Sequence, residues 1–390
     1  MRIGIVGYGT AGQAAALFLA RGGHAIEIFE RSPQLRPVGA GFLLQPTGLG
    51  VLDALGLGAA AQARGARIGR LHGENAAGRA VMDMRYADLD ADAFGLGMTR
   101  NALFSLLHER CREVAAIRTG VRITAIAQDE RHLLDADGAA RGPYDLIVVA
   151  DGSHSALRAH SGARVRDRLY AWGAMWCLLP ADGWPHAAEL RQRYDGTRRM
   201  IGVLPVGAHE DGDAQRWLTF YYSLPGAAVD AFDGQALERL RGDVAALWPE
   251  LAERTDTLAD PARLNRARYR DVVLRDPWHG RIVHIGDAAH GMSPQLGQGV
   301  NMALLDAQAL ADALTAQADP AAARNDYLRR RARHVAVYQF LSRRLTPLFQ
   351  SDAQWLAPLR DACFGPLGRL PLAKRQMLTI LAGAKRSWWR

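Results

Sequence analysis

Short apolar runs alternate along this chain with stretches in which apolar residues recur every three or four positions. Arg2–Val6 (RIGIV) is an apolar, β-branched run of strand length, and Ala25–Phe29 is another. Between them Ala14, Ala15, Leu17, Phe18 and Leu19 mark a helix that stops at Gly22-Gly23. Continuous apolar strands joined by a helix predict a parallel sheet covered on both faces. Leu49–Leu57 reads as a short helix, and Ile68–Leu71 and Arg79–Met84 flank a turn at Asn75–Gly78, a hairpin pattern. A helix opens at Thr99-Arg100 and runs to about Val114, followed by strands at Val121–Ala127, Arg131–Ala136 and Tyr144–Ala150.

From Trp172 the pattern changes. Trp172–Leu179, Arg199–Pro205 and Trp217–Ser223 are aromatic or alternating and separated by turns without long helices, which predicts an antiparallel sheet. Phe232–Leu247 is helical, and Tyr269–Leu274 leads to a further strand at Arg281–Ile285. The fold class is therefore α/β: a Rossmann-like domain interrupted by an antiparallel sheet, then resumed, with C-terminal helices. The last long helix, Asp319–Phe349, places Leu328, Val335, Tyr338, Leu341 and Leu345 on one face. Arg329, Arg330, Arg331, Arg333, Arg343 and Arg344 are expected on a solvated face.

Composition narrows the possibilities. The chain has 390 residues and a formal net charge of +8, but its arginines are scattered and its first lysine is Lys374, so no nucleic-acid-binding groove is indicated. Cys111, Cys177 and Cys363 form no CxxC, which argues against a disulfide framework or a metal site and makes a reducing, cytoplasmic setting the expectation. No apolar run reaches the ~20 residues of a membrane span. The tail from Leu370 is basic and ends in Trp388-Trp389-Arg390; contact with a membrane surface is the weaker reading of it.

Three segments carry chemistry. The first strand enters Gly7-Tyr8-Gly9-Thr10-Ala11-Gly12 and the second ends at Glu30-Arg31. A strand, GxGxxG, a helix and an acid roughly 20 residues on form the dinucleotide fingerprint, in which the glycines admit a pyrophosphate and the acid meets a ribose. Leu35–Pro46, with Gly39 and Gly41, implies backbone close to a ligand. In the middle, Tyr144–Ala150 ends in Asp151-Gly152-Ser153-His154-Ser155-Ala156-Leu157-Arg158, a polar-ligand end of a parallel strand. Late in the chain, RIVHIGDAAHGMSPQLGQGVNMALLDA reads strand, acidic turn, Gly-rich loop and helix, an anion site at a helix N-terminus. Asp287 adds an acceptor suited to a polyol. His290, inside this motif, reads as positioning the loop rather than as a base.

In this order the three segments resemble the single-component FAD-dependent aromatic hydroxylases, the para-hydroxybenzoate hydroxylase-like flavoprotein monooxygenases, over roughly residues 1–320. The resemblance implies non-covalent FAD, NADH or NADPH as reductant, O2 as co-substrate, and hydroxylation of an aromatic or polycyclic small molecule through a flavin C4a-hydroperoxide. It divides the chain into an FAD-binding domain (1–72, 97–166, 269–318), a substrate domain (hairpin 73–96, sheet 167–268) and a C-terminal helical region (319–390). It implies that Gly7, Gly9, Ala11 and Gly12 line the FAD pyrophosphate, that Glu30 holds the adenosine ribose with Arg31 beside the adenine, and that Ile123 touches the adenine. Arg100 would reach the phosphate and ribityl region. Asp151, Gly152 and Arg158 would serve FAD and the nicotinamide cofactor, and Asp287 the ribityl or pyrophosphate region. Pro294 and Gly297, Gly299, Val300 and Asn301 would lie along the isoalloxazine, where helix-end N–H groups stabilise negative charge.

No catalytic acid or base is assigned, because the cofactor is the reactive group. Pocket-lining candidates are Met175, Arg199, Trp217, Tyr221, Tyr222 and Pro294; strand alternation leaves open which half faces inward. No second GxGxxG follows a strand, which disfavours two-dinucleotide reductases and Baeyer–Villiger-type oxygenases. Flavin-dependent halogenases need an amino-terminal lysine that this chain lacks, and Trp172 and Trp176 are four apart rather than two. The alternatives are a flavin-binding sensor or accessory subunit without turnover, and a hydroxylase of a quinone precursor at a membrane surface. A monomer or homodimer is expected, with no metal.

Overall fold

The computed structural model describes residues 1–35, 40–208 and 214–387. Residues 36–39 of the predicted glycine loop Leu35–Pro46 and the terminal Trp388-Trp389-Arg390 lie outside the described residues, and Gly41–Leu44 of that loop is a strand. A six-stranded sheet is ordered Trp278–His279, Ile282–His284, Leu146–Val149, Arg2–Val6, Ala25–Glu30, Ala115–Thr119. All its pairings are parallel except that of the Trp278–His279 edge. The helices Thr10–Arg21 and Gly299–Ala316 pack on each other over the same face, so the first and last of the three motifs are brought side by side.

The second sheet has seven strands: Asn265–Leu274, Val165–Pro180, Trp217–Pro225, Arg199–Gly207, Glu189–Asp195, Arg70–Asn75 and Ala80–Arg85. It is not wholly antiparallel, because Glu189–Asp195 pairs parallel with Arg70–Asn75. That strand (ELRQRYD) carries no apolar alternation. Charge pairs across the joint hold it: Arg70 to Glu189 at 3.2 Å, and Arg191 and Arg193 to Glu74 at 3.4 and 3.3 Å. The hairpin expected at Ile68–Leu71 and Arg79–Met84 is Arg70–Asn75 with Ala80–Arg85. Ile68 instead belongs to a small antiparallel sheet of Gly41–Leu44, Gly95–Thr99 and Ala66–Ile68. The expected sheet boundary at 268/269 falls inside the strand Asn265–Leu274.

The seven-stranded sheet has two different faces. Helix Gly234–Leu247 lays Leu237, Leu240, Val244 and Leu247 on the face that carries Met175, Cys177, Ile201, Val203, Phe220 and Tyr222. The other face carries Ala174, Trp176, Tyr194, Met200, Tyr221 and Tyr269, with Phe349 and Phe364 from the C-terminal helices. The long helix is Pro320–Phe349. Arg331, expected on its solvated face, is instead buried: its Nε donates to Asp306 Oδ1 at 2.6 Å and its Nη1 to His334 Nδ1 at 2.7 Å. A buried carboxylate on a neighbouring helix reverses what the arginine-rich pattern implies, since each charge is tolerated inside only with the other.

Candidate active site

One half of the site is backbone. Gly7 has φ +100°, and a Cβ there would stand 2.5 Å from Ala150 O, so only glycine lets the turn lie against the Asp151 strand end. A Cβ on Gly12 would meet Gly7 O at 2.0 Å, whereas one on Gly9 would meet nothing within 4 Å, so Gly9 presents bare backbone to open space. Glu30 is already tied: its carboxylate accepts from Tyr8 N and Ser32 N, each at 2.9 Å. Gly7, Gly9, Glu30, Arg31, Ile123, Asp151 and Gly152 all line one cavity of about 370 Å³. Burial holds the Asp151 carboxyl above its ordinary range, with Ser155 and Arg158 pulling it back down.

Arg158 lies behind this cavity, not in it. It is buried and donates to Ser153 O at 2.5 Å, to Asp167 at 2.8 Å, and to Gly152 O and Ala288 O at 3.4 and 3.3 Å. Its donors tie the Asp151–Ser155 turn to the Asp287–His290 turn. That is a positioning task, in place of the direct cofactor contact the resemblance implies.

The late segment meets the early one at Gly286, where an added Cβ would lie 3.1 Å from Ala11 Cβ. Asp287 opens a four-residue helix and is exposed. Beneath it Asp306 accepts from Gly286 N at 2.8 Å, His290 Nε2 at 2.5 Å and Arg331 Nε at 2.6 Å. His290, His334 and Asp306 together with Arg331 thus form a buried network under the turn. His290 is 4% exposed and faces that network. Arg100 is exposed yet surrounded by protein; desolvation lowers its pKa, while Asp287 and Tyr269 nearby raise it. Pro294 begins a 3-10 turn closed by Gly297 at φ +61°, and helix Gly299–Ala316 starts without a side-chain cap. Gly297 and Gly299 are exposed. Asn301 is buried: Oδ1 accepts from Gln45 N at 2.9 Å and Nδ2 donates to Leu43 O and Gly297 O at 3.3 and 3.0 Å. Its side chain staples the helix start to the strand Gly41–Leu44, a role the sequence reading did not assign to it.

The other half of the site is side chain. Met175, Arg199 and Tyr222 are not in it. Met175 is packed under helix Gly234–Leu247, the Tyr222 hydroxyl donates to Asp243 of that helix, and Arg199 is held by Asp195 and Asp243 at 2.8 and 3.0 Å. Alternation along the strands turns these residues away once the amphipathic helix has taken its face. Trp217 and Tyr221 lie on the opposite face, Trp217 at the far end beside Gly207. Tyr221 is joined there by groups that sequence reading missed. Trp176 stacks edge-on at 4.6 Å and donates from Nε1 to Tyr269 Oη at 3.2 Å. Gln350 donates to Tyr221 Oη at 2.6 Å and accepts from Gln295 of the Gly-rich loop at 2.8 Å. Burial pushes the pKa of both Tyr221 and Tyr269 up, so both hydroxyls remain protonated donors at neutral pH.

This geometry agrees with the comparisons. The chain belongs to the FAD-binding domain family, whose model matches residues 1–337, and is an FAD-dependent monooxygenase of that class. It is 30% identical over 330 residues to the 3-amino-4-hydroxybenzoate 2-monooxygenase of Streptomyces cremeus, covering 81% of this chain and 79% of that protein. It is 31% identical to the aurachin C monooxygenase/isomerase of Stigmatella aurantiaca, covering 82% of each. The crystal structure of Klebsiella pneumoniae HpxO complexed with FAD and uric acid superposes with TM-score 0.82 at 23% identity, covering 98% of this chain and 97% of that one. No helix among the described residues is long and apolar enough to cross a membrane, and none of their His, Cys, Asp and Glu residues cluster to hold a metal.

Proposed function

We propose that this monooxygenase inserts one oxygen atom into an electron-rich aromatic ring held by hydroxyl and amide groups rather than by a guanidinium. The observation that carries the reading is the polar chain Gln295–Gln350–Tyr221–Tyr269–Trp176 on the sheet face turned toward the Gly-rich loop. Arg199, Arg266 and Arg268 of the same strands are turned to the other face and engaged by Asp243, Phe232 O and Asp230. The names of the relatives support an aromatic substrate, since one acts on an aminohydroxybenzoate.

FAD, when bound, supplies the redox and oxygen-transfer chemistry. The residues present fit it: Gly7 and Gly9 line the cavity with bare backbone for the pyrophosphate, Gly12 and Ala11 pack the helix against the turn and Gly286 behind it, Glu30 would accept from the ribose, and Arg31 and Ile123 would flank the adenine. Arg100 and Asp287, close enough to each other to interact, would serve the ribityl and phosphate region. Pro294 and Gly297 would lie along the ring system, and the N–H groups of Gly299, Val300 and Asn301 at the start of the helix would stabilise negative charge there. Of the linked Tyr221 and Tyr269 hydroxyls one donates to the other, and the remaining O–H of the pair donates to a ring oxygen or nitrogen of the substrate and sets its distance from the loop. The sheet and the C-terminal helices exclude water from that space.

Purified protein tests this directly. It should hold FAD, and neutral phenols or hydroxylated bicyclic rings should stimulate NAD(P)H oxidation more than benzoates do, with product heavier by one oxygen. A protein that stays colourless with excess FAD, or oxidation that no aromatic compound stimulates, would overturn the reading.

A further inference from the structure

The C-terminal helix Leu356–Leu367 is inverted relative to an ordinary surface helix, which turns charge outward. Half of the large apolar side chains exposed among the described residues lie between 355 and 372. Trp355, Leu359, Ala362, Pro366 and Leu370 recur at spacings of three and four and are all exposed, Trp355 by 70% and Leu370 by 57%. The charged residues of the helix point inward instead. Arg360 is 1% exposed, donates to Gly196 O and Leu348 O at 2.9 and 3.0 Å, and lies 5.0 Å over the Tyr194 ring. Asp361 accepts from Asn75 at 2.8 Å. These contacts fix the helix so that its apolar stripe faces solvent and cannot roll inward.

We infer that this stripe is the seam of a two-fold homodimer, helix Leu356–Leu367 of one copy lying antiparallel on the same helix of a second. Two stripes of this kind, face to face, remove on the order of 1,000 Å² from water in total before any rim contact, about 500 Å² from each copy, which is close to the lower bound of a specific interface and in the size range of the largest, often functional, patch on a monomer. Charge favours a protein partner over an anionic lipid surface. Asp352, Arg360, Asp361 and Arg369 balance to zero across 352–372, and Lys374 is neutralised by Asp88 at 2.6 Å. An antiparallel seam also sets the Asp352–Arg198 pair at one end of the helix beside Arg369 of the second copy. The midpoint of the stripe is at Ala362 and Cys363, and Cys363 is exposed while Cys111 and Cys177 are buried. The seam therefore sets Cys363 next to its own counterpart.

Sedimentation of the FAD-loaded protein tests the inference. The wild type should be a dimer at about 10 µM, and Leu359→Glu, or independently Leu370→Glu, should weaken the dimer by about 100-fold or more, because each places two unpaired carboxylates in an apolar seam. Both variants should keep wild-type FAD content and far-ultraviolet circular dichroism, and should melt like the wild type diluted below its dimer dissociation constant. A short bis-maleimide should link wild-type copies through Cys363, and Cys363→Ser should remove the link. A wild type that is monomeric at that concentration, including one that instead binds phosphatidylglycerol vesicles, overturns the inference. So does a dimer indifferent to both glutamates, or one in which Cys363 does not cross-link.

Discussion

The two ends of the cleft are built from different materials. At the end lined by Gly7, Gly9 and Gly12 the working surface is main chain, and side chains are excluded by contacts such as the 2.0 Å between a Gly12 Cβ and Gly7 O. At the sheet end the working surface is Trp176, Tyr221 and Tyr269, with Gln350 behind them. Such a backbone site tolerates no added carbon at Gly7 or Gly12, where the turn is packed against itself, but needs no particular neighbouring side chain. A side-chain site tolerates local change but depends on which way each strand is facing. Loss of function should therefore be abrupt at the first end and graded at the second.

The largest effect expected is at the main-chain end. Gly12→Val drives branched carbon into Gly7 O, so FAD affinity should fall by about 100-fold or more, a difference of roughly 3 kcal/mol. Flavin fluorescence titration measures it. Wild-type affinity in this variant would mean that the turn is not the tight cradle its geometry implies.

Acid should also strike the main-chain end first. The pKa of His284 and His334 is lowered to about 4, by burial in both and, for His334, also by Arg331, which donates to His334 Nδ1 and so requires the neutral ring. A depressed folded pKa means that the unfolded histidine binds a proton near pH 6.5 and the folded one does not. Stability is thus full above pH 6.5 and is lost as pH falls toward 4, by up to about 3 kcal/mol for each histidine. His334→Gln keeps an acceptor for Arg331 and a donor for Gly383 O, and urea unfolding of this variant should show a slope between those pH values that is shallower than the wild type's. An unchanged slope would place the acid sensitivity elsewhere.

The same contrast explains what could be read from the sequence. Glycine spacing, strand ends and Glu30 are local, so GYGTAG, DGSHS and GDAAH announced the cradle without any knowledge of packing. Arg331 did not announce itself, because its partner Asp306 is 25 residues away on another helix. Arg158 was legible as a motif residue, but its protein-facing role depends on Asp167 and Ala288. The strand Glu189–Asp195 was invisible because cross-strand charge pairs, not alternation, define it. Strand alternation separates Tyr221 from Tyr222 but carries no absolute phase. Only helix Gly234–Leu247, by covering one face, decides between them.

That pair offers the finest test. Tyr221 and Tyr222 are adjacent, both buried, and both hydroxyls are bonded, one to Gln350 and one to Asp243. Tyr221→Phe removes a donor from the face proposed to hold the substrate. Substrate-stimulated kcat/KM should drop about 10-fold, or roughly 1.4 kcal/mol, at unchanged FAD content. Tyr222→Phe removes an equivalent group from the helix-covered face. It should leave kcat/KM within about twofold while lowering stability by about 1 kcal/mol, since Asp243 retains Arg199. Size, burial and sequence position are nearly matched, so any difference between the two variants reports which face the aromatic ring meets. Equal kinetic losses would mean that the sheet acts as a slab whose integrity matters on both sides. A larger loss at Tyr222 would move the substrate beneath helix Gly234–Leu247, away from the Gly-rich loop.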